Sequence, residues 1–234
     1  MATSYTAFTL GLAKSDLSAL GFTVYELNGA DATQQNLMAT ILAFNPDLIV
    51  ADGHGDVNVL SGQNREIVLR ACTNDQILSG TATAAISCLT AQQLGPSARK
   101  KTAQSYAGFV NEFRWIVTEP YDPATDPCWV AHDDVIRTII VATAKYKLGQ
   151  LGLKQAYDMV NAKFESWKQY YGYGDGSKSP DAGDMLMDLQ HNQSGFAWIG
   201  EETYGGAALM LPPLEIAIPL VLGIMFMPKV FGLV

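Results

Sequence analysis

Only three cysteines and three histidines occur in 234 residues. Cys72, Cys88 and Cys128 follow no metal-ligand spacing and form no evident disulfide framework. Neither a zinc module nor a disulfide-stapled fold is expected, and no metal or other cofactor is called for. A reducing compartment is the default for so few cysteines. Positive charge is scarce as well: 15 Lys and Arg against 23 Asp and Glu leave a net charge of -8. No Lys/Arg stripe is present, and Arg99-Lys100-Lys101 is a short run suited to a solvated helix end. Nucleic acid is therefore a disfavoured partner. The opening MATSYTAFTLGLAKSDL lacks a basic region and a long apolar stretch, so no signal peptide is expected. Internal repeats and low-complexity segments are lacking too.

Apolar residues are plentiful. At 48% hydrophobic the chain has enough for one domain with a sizeable core, expected over 1–205. The remainder, 206–234, reads as a tail. Within it Ile216–Val234, IAIPLVLGIMFMPKVFGLV, has Lys229 as its only charge. That is roughly the ~20 residues a membrane helix needs. Pro219 and Pro228 are tolerated in such helices, and Lys229 would snorkel toward headgroups. The tail is expected to anchor the chain in a membrane or to bury itself in an assembly of copies, with an ordinary core segment as the alternative.

The chain alternates strand-like and helix-like segments. Thr6–Leu12 is a short apolar run, Ser15 and Asp16 suit a helix start, and Gly21 suits its stop. Phe22–Leu27 is rich in β-formers and ends at Asn28-Gly29. Asp31–Phe44 has helical spacing and stops at Asn45-Pro46. Leu48–Ala51 reads as a buried strand, halted by Asp52-Gly53-His54-Gly55. A polar loop is expected over Asp56–Asn64, and Glu66–Leu78 is ambiguous. Ala82–Ile86 is a small-residue strand ending at Ser87-Cys88. Ala91–Lys101 suits a helix, and Tyr106–Val110 a fifth strand. Asp133–Leu148, Leu153–Tyr171 and Asp181–Gln190 read as helices, with a turn-rich break at Gly172–Pro180. Phe196–Ile199 suits a short strand. This alternation predicts an α/β chain, a three-layer α/β/α sandwich around a mostly parallel sheet.

Chemistry in such sheets lies beyond the carboxyl ends of the strands. Two ends stand out, Gly53-His54-Gly55 and Ser87-Cys88. If their strands are neighbours, a thiol and an imidazole come together as nucleophile and base. The glycines flanking His54 allow a sharp turn and close approach. The N–H groups of Gly55 and Cys88 are candidate oxyanion donors. A helix after Cys88 would favour the thiolate through its dipole. Taken singly, a cysteine at a strand end is more often a buried, inert side chain.

These two segments, DLIVADGHG (Asp47–Gly55) and ATAAISC (Ala82–Cys88), resemble the caspase–hemoglobinase superfamily of cysteine peptidases. Gly62-Gln63-Asn64 after the histidine and Leu94–Ala98 after the cysteine are similar to compact prokaryotic-type members. The resemblance spans about residues 5 to 205. It implies a peptide or protein substrate, Cys88 as nucleophile, His54 as general base and acid, and Gly55 as an oxyanion contributor. It also implies a pocket for the side chain before the scissile bond. Asp52 and Glu112 are candidates to make that pocket acidic, which would favour Arg or Lys, and Trp115 is a candidate wall. Solvated loop acids and a core tryptophan are the plainer readings of these three. Asp75 suits a helix cap, and His132 and His191 suit surface or capping positions. The short Leu12–Phe22 connection departs from the family pattern and predicts a truncated first helix. A catalytically silent structural member, held by its tail in a membrane, virion or multi-subunit shell, is the competing expectation.

Overall fold

The computed structural model describes residues 2–119 and 121–206. The expected membrane or assembly tail, 216–234, lies outside the described residues.

The first helix is not truncated. α1 runs unbroken over Ala2–Ala19, because Tyr5, Thr9, Ala13 and Leu17 recur every fourth residue and all are buried. Thr6–Leu12 is the middle of this helix, not a separate element. The chain leaves it through Gly21, at φ +88, a conformation glycine adopts freely. Phe22–Leu27 forms no strand. Phe22 and Val24 pack into one hydrophobic cluster and Leu27 into the other. The segment carries the chain from one face of the sheet to the other, and its β-formers serve packing without a ladder. α2 (Gln34–Phe44) is capped by Thr33, whose hydroxyl accepts from the Asn36 N–H, and closes at left-handed Asn45.

β1 (Leu48–Asp52) and β5 (Ala82–Ile86) pair in parallel, from Leu48 opposite Ala82 to Asp52 opposite Ile86. Between them lies a small antiparallel sheet: β2 (Gly55–Asp56) and β3 (Val59–Ser61) fall at the expected loop, and β4 (Ile67–Arg70) at the start of the ambiguous Glu66–Leu78. Strands this short carry too few alternating positions to register as strands in the sequence. β6 (Ser105–Phe109) adds in parallel to β5. β7 (Phe196–Ile199) and β8 (Thr203–Gly205) then add antiparallel, giving the order β1-β5-β6-β7-β8. The sheet is therefore mixed rather than mostly parallel. The described chain is α/β, completed by α3 (Leu94–Lys100), α4 (Pro127–Lys147), α5 (Leu153–Tyr173) and α6 (Ala182–Gly195). Among the described residues no helix is long and apolar enough to cross a membrane.

α4 starts earlier than its apolar spacing suggested. Pro127 sits at its first turn, and Asp126 caps it by accepting from the Cys128 and Trp129 N–H groups. Asp126 also accepts from Tyr5 Oη at 2.9 Å and from Thr118 N at 2.7 Å. One buried carboxylate thus ties α1, α4 and the loop before α4 together.

Side chains alternate across the sheet. Leu48, Val50, Ala82, Ala84 and Ile86 face the cluster built with α1 and α4. Ile49, Ala51 and Ala85 face the cluster that includes Leu37 of α2 and Leu94 and Ala98 of α3. This parity decides which face each strand-end residue joins.

Candidate active site

The β1–β5 register fixes the relation of the two chemical residues. Asp52 lies opposite Ile86, so His54 and Cys88 each come two residues beyond the same matched pair. Gly53 N–H continues the pairing with a bond to Ile86 O at 3.3 Å. Neighbouring strands run about 4.8 Å apart, which brings the two residues to one level at adjacent strand ends. Cys88 packs against the cluster on the α1/α4 face. Asp52 continues the parity of Leu48 and Val50 on that face, where the Thr6 side chain of α1 bonds to it.

Gly55 shows how closely the two ends meet. A Cβ built there would lie 2.4 Å from Cys88 O, 2.5 Å from Thr90 Cγ2 and 3.1 Å from Ser87 Cβ. The position admits glycine because the turn after β5 lies directly against it. That turn is sharp. Leu89 is held at φ +63, which is costly for a bulky residue, and its N–H is fixed by Asn111 O at 3.1 Å. Ser87 Oγ and Thr90 Oγ1 lie 3.0 Å apart. α3 begins only at Leu94, so the expected helix dipole at Cys88 is not there; the cysteine opens a turn instead.

The electrostatics set both groups neutral at rest. Burial pushes the Cys88 thiol up, Glu112 adds to this, and the Phe113 N–H opposes it with a bond to Sγ at 3.4 Å. Burial holds the His54 imidazole below its ordinary value, and the Arg65 guanidinium lowers it further. The sulfur therefore keeps its proton and the imidazole is free to take one. Asp52 is half-buried, and burial pushes its carboxyl up to about 7 against the Thr6 bond.

Residues 110–118 form a strap beyond β6. Glu112 on it is exposed, its carboxylate 3.7 Å from the Arg114 guanidinium. Trp115 is partly buried and packs on Phe113 and Trp129, so it backs the strap from the core side. The strap is tied to the cysteine turn by Leu89 N to Asn111 O and by Gln92 Nε2 to Val110 O at 2.7 Å. From the other side α6 grips it. His191 Nε2 donates to Glu112 O at 2.9 Å. Asn192 accepts from Arg114 N at 2.8 Å and donates to Arg114 O at 2.6 Å.

Phe113, His191 and Asn192 were missed from the sequence. A signal existed: Met185, Leu189 and Asn192 share one buried stripe of α6, and a polar residue on such a stripe needs a polar partner. His191 is partly buried and binds the strap; it is neither a free surface group nor a cap. His132 overturns its expected surface position. It lies inside α4 between Phe113 and Trp129, its Nε2 has no partner among the described residues, and burial pushes it down to about 4. Asp75 caps no helix with its side chain; it is buried in an ion pair with Lys101 at 2.7 Å. Cys72 is exposed, and Cys128 is buried with its thiol pushed up to about 12, burial first among the causes. Among the described residues no group of three His, Cys, Asp or Glu side chains is arranged to hold a metal ion. Comparison of the chain with protein-family models, curated proteins and solved structures finds no match.

Proposed function

We propose that this chain is a cysteine peptidase on a three-layer α/β/α scaffold of the caspase–hemoglobinase kind, with Cys88 as nucleophile and His54 as base and acid. The observation that carries the reading is the shared register: His54 and Cys88 follow one matched residue pair by the same two steps on adjacent parallel strands. The neutral resting state suits this role. As Sγ attacks the scissile carbonyl carbon, its proton passes to His54, and the carbonyl electrons become an oxyanion. The Gly55 and Cys88 N–H groups are the proposed donors to that oxygen. His54 then returns the proton to the departing amine as the C–N bond breaks, leaving a Cys88 thioester. Water, deprotonated by His54, attacks the thioester carbon; the C–S bond breaks, the acid leaves, and His54 returns the proton to the Cys88 sulfur. Asp52 and Glu112 are the proposed acidic groups that select a cationic side chain before the scissile bond, with Trp115 behind them. The apolar run 216–234 would tether the enzyme to a membrane or to an assembly of copies.

The test is labelling with a peptidyl acyloxymethyl ketone bearing Arg or Lys at its reactive end, followed by peptide mapping. Labelling confined to Cys88, together with peptide turnover that Cys88→Ala and His54→Ala abolish, is the expected result. Equal labelling of Cys72 and Cys88, or no turnover across a peptide library, would leave the silent structural reading in its place.

A further inference from the structure

We infer that His191 and Asn192 of α6 form a clasp that holds the Phe113 amide on the Cys88 sulfur, and that Asn192 is a positioning residue for the thiolate. The inference rests on Cys88 being the working thiol, as proposed above, but its geometry stands without any substrate.

The Phe113 N–H is the strap's hydrogen bond to Sγ, at 3.4 Å. A peptide N–H aimed at sulfur stabilises the anion more than the thiol, because the acceptor carries the charge only after the proton leaves. Such a bond helps only if the strap is rigid. The residues on either side of Phe113 are both fixed by α6. Glu112 O accepts from His191 Nε2 at 2.9 Å, and Arg114 bonds to Asn192 through both its N–H and its C=O, at 2.8 and 2.6 Å. A side-chain amide that meets N–H and C=O of one residue mimics a paired strand. The strap is thus paired as though β7 continued beyond its end, and Val110 N to Gly195 O at 2.8 Å joins the two pairings. Asn192 is fully buried, and both its donor and its acceptor are spent on Arg114. A buried amide bonded to backbone through both its nitrogen and its oxygen is costly to replace and specifies one arrangement of the strap. On the opposite side the strap is pinned to the turn after Cys88 by Leu89 N to Asn111 O at 3.1 Å. Held on both sides, Phe113 N–H has one direction available, toward Sγ.

Of the titratable groups, Glu112 on the strap acts on the sulfur and His132 of α4 lies behind Phe113; Asp52 and His54 lie at the neighbouring strand end, Arg114 pairs with Glu112, and His191 of α6 binds the strap. The clasp changes none of these charges when Asn192 is replaced, which makes thiol acidity a clean readout.

The experiment measures iodoacetamide alkylation of Cys88 against pH by peptide mapping, in the full chain carrying Cys72→Ser. Asn192→Ala is expected to raise the midpoint of the Cys88 profile by about one pH unit, close to tenfold slower alkylation near neutrality. His191→Ala, at a partly exposed residue, is expected to raise it less, and His191→Gln, which keeps a donor for Glu112 O, to restore it. A merely structural role would change melting and leave the pH midpoint where it was. If Asn192→Ala does not fold, His191→Ala against His191→Gln decides. An unmoved midpoint in folded variants overturns the clasp. A midpoint that moves in a protein that cleaves no peptide keeps the clasp and removes the peptidase. Normal cleavage with an unmoved midpoint does the reverse.

Discussion

Gly55→Ala tests the packing on which the active-site geometry depends. The new Cβ would sit 2.4 Å from Cys88 O, about 1 Å short of ordinary contact, which begins near 3.4 Å. The nearest atom is backbone, so no rotamer change relieves the clash. Thr90 Cγ2 at 2.5 Å blocks a second direction. Gly55 is also paired with Leu60 in the small sheet, so a retreat drags β2 and β3 along. The strand ends must part by roughly 1 Å. Overpacking of this kind costs about 1–3 kcal/mol. For a chain of this size that lowers Tm by roughly 3–10 °C. In the proposed pair the same displacement would move His54 relative to Cys88, and about 1 Å of misplacement costs on the order of 100-fold in rate. Cys88 labelling by the peptidyl ketone should therefore fall far more than stability does. The assay pairs a thermal melt with the labelling rate at a temperature where both proteins are folded. Unchanged melting together with unchanged labelling would refute the close approach of Gly55 to the Cys88 turn, and with it the account of how the pair is assembled.

Two further outcomes follow. In the proposed reaction His54 must be neutral to accept the thiol proton, so peptide turnover should fall as pH drops through its folded pKa; with that value held down by burial and by Arg65, the acid limb should lie below the ordinary 6.5. Arg65→Gln should move the limb toward higher pH, and because Arg65 is exposed, salt near 1 M should erase the difference. Asp126→Ala should destabilise by about 3–5 kcal/mol in urea unfolding, since it removes an N-cap and leaves the Tyr5 hydroxyl and the Thr118 N–H without their acceptor. Burial pushes the Asp126 carboxyl up, but its hydrogen bonds, Thr118 N–H first, hold it below the ordinary carboxylate range. Its stabilisation is thus full above the unfolded value near 3.9 and lost as pH falls through the lower folded value, so wild type and variant should converge in acid.

The strands that carry the site were legible because their signals are local. Leu48–Ala51 and Ala82–Ile86 are continuous apolar runs halted by residues that leave a strand, and both appear where expected. The places of His54 and Cys88, just beyond these two strands, were legible for the same reason. What escaped depends on contacts between distant parts of the chain. Phe22–Leu27 has strand composition, but its apolar residues are divided between two clusters, and no periodicity records that division. Thr6–Leu12 looked separate because Ser15 and Asp16 resemble a helix start, yet both lie within α1; Thr9 faces inward through a buried bond from its hydroxyl to Asp133 Oδ1 at 2.6 Å. The antiparallel β7 and β8 cannot be told from parallel strands by composition. His132 looked like a surface residue because the early turns of α4 owe their place to Asp126 and Pro127, which lie ahead of the apolar spacing. The α6 clasp is the least legible part, as it joins residues 78 positions apart.

The two groups of the pair are pushed in directions that oppose a resting ion pair. A thiolate–imidazolium pair needs the thiol lowered and the imidazole raised, and the site does the reverse to each. Burial is the first cause in both cases, so the same partial enclosure that shapes the site keeps it uncharged. In the proposed peptidase, such a site would hold no reactive anion between turnovers. Under that proposal ionisation accompanies attack, the proton leaving sulfur as the carbonyl oxygen takes up the negative charge. At that moment fixed dipoles count most, because they need no rearrangement to meet the charge. The Phe113 amide is such a dipole on the sulfur side, held by Asn192 and His191. It weakens the penalty of burial without adding a cation near Sγ. Enclosure is the larger pull on Cys88 and keeps the thiol up; the strap carries both the amide of Phe113 that opposes it and the Glu112 carboxylate that adds to it.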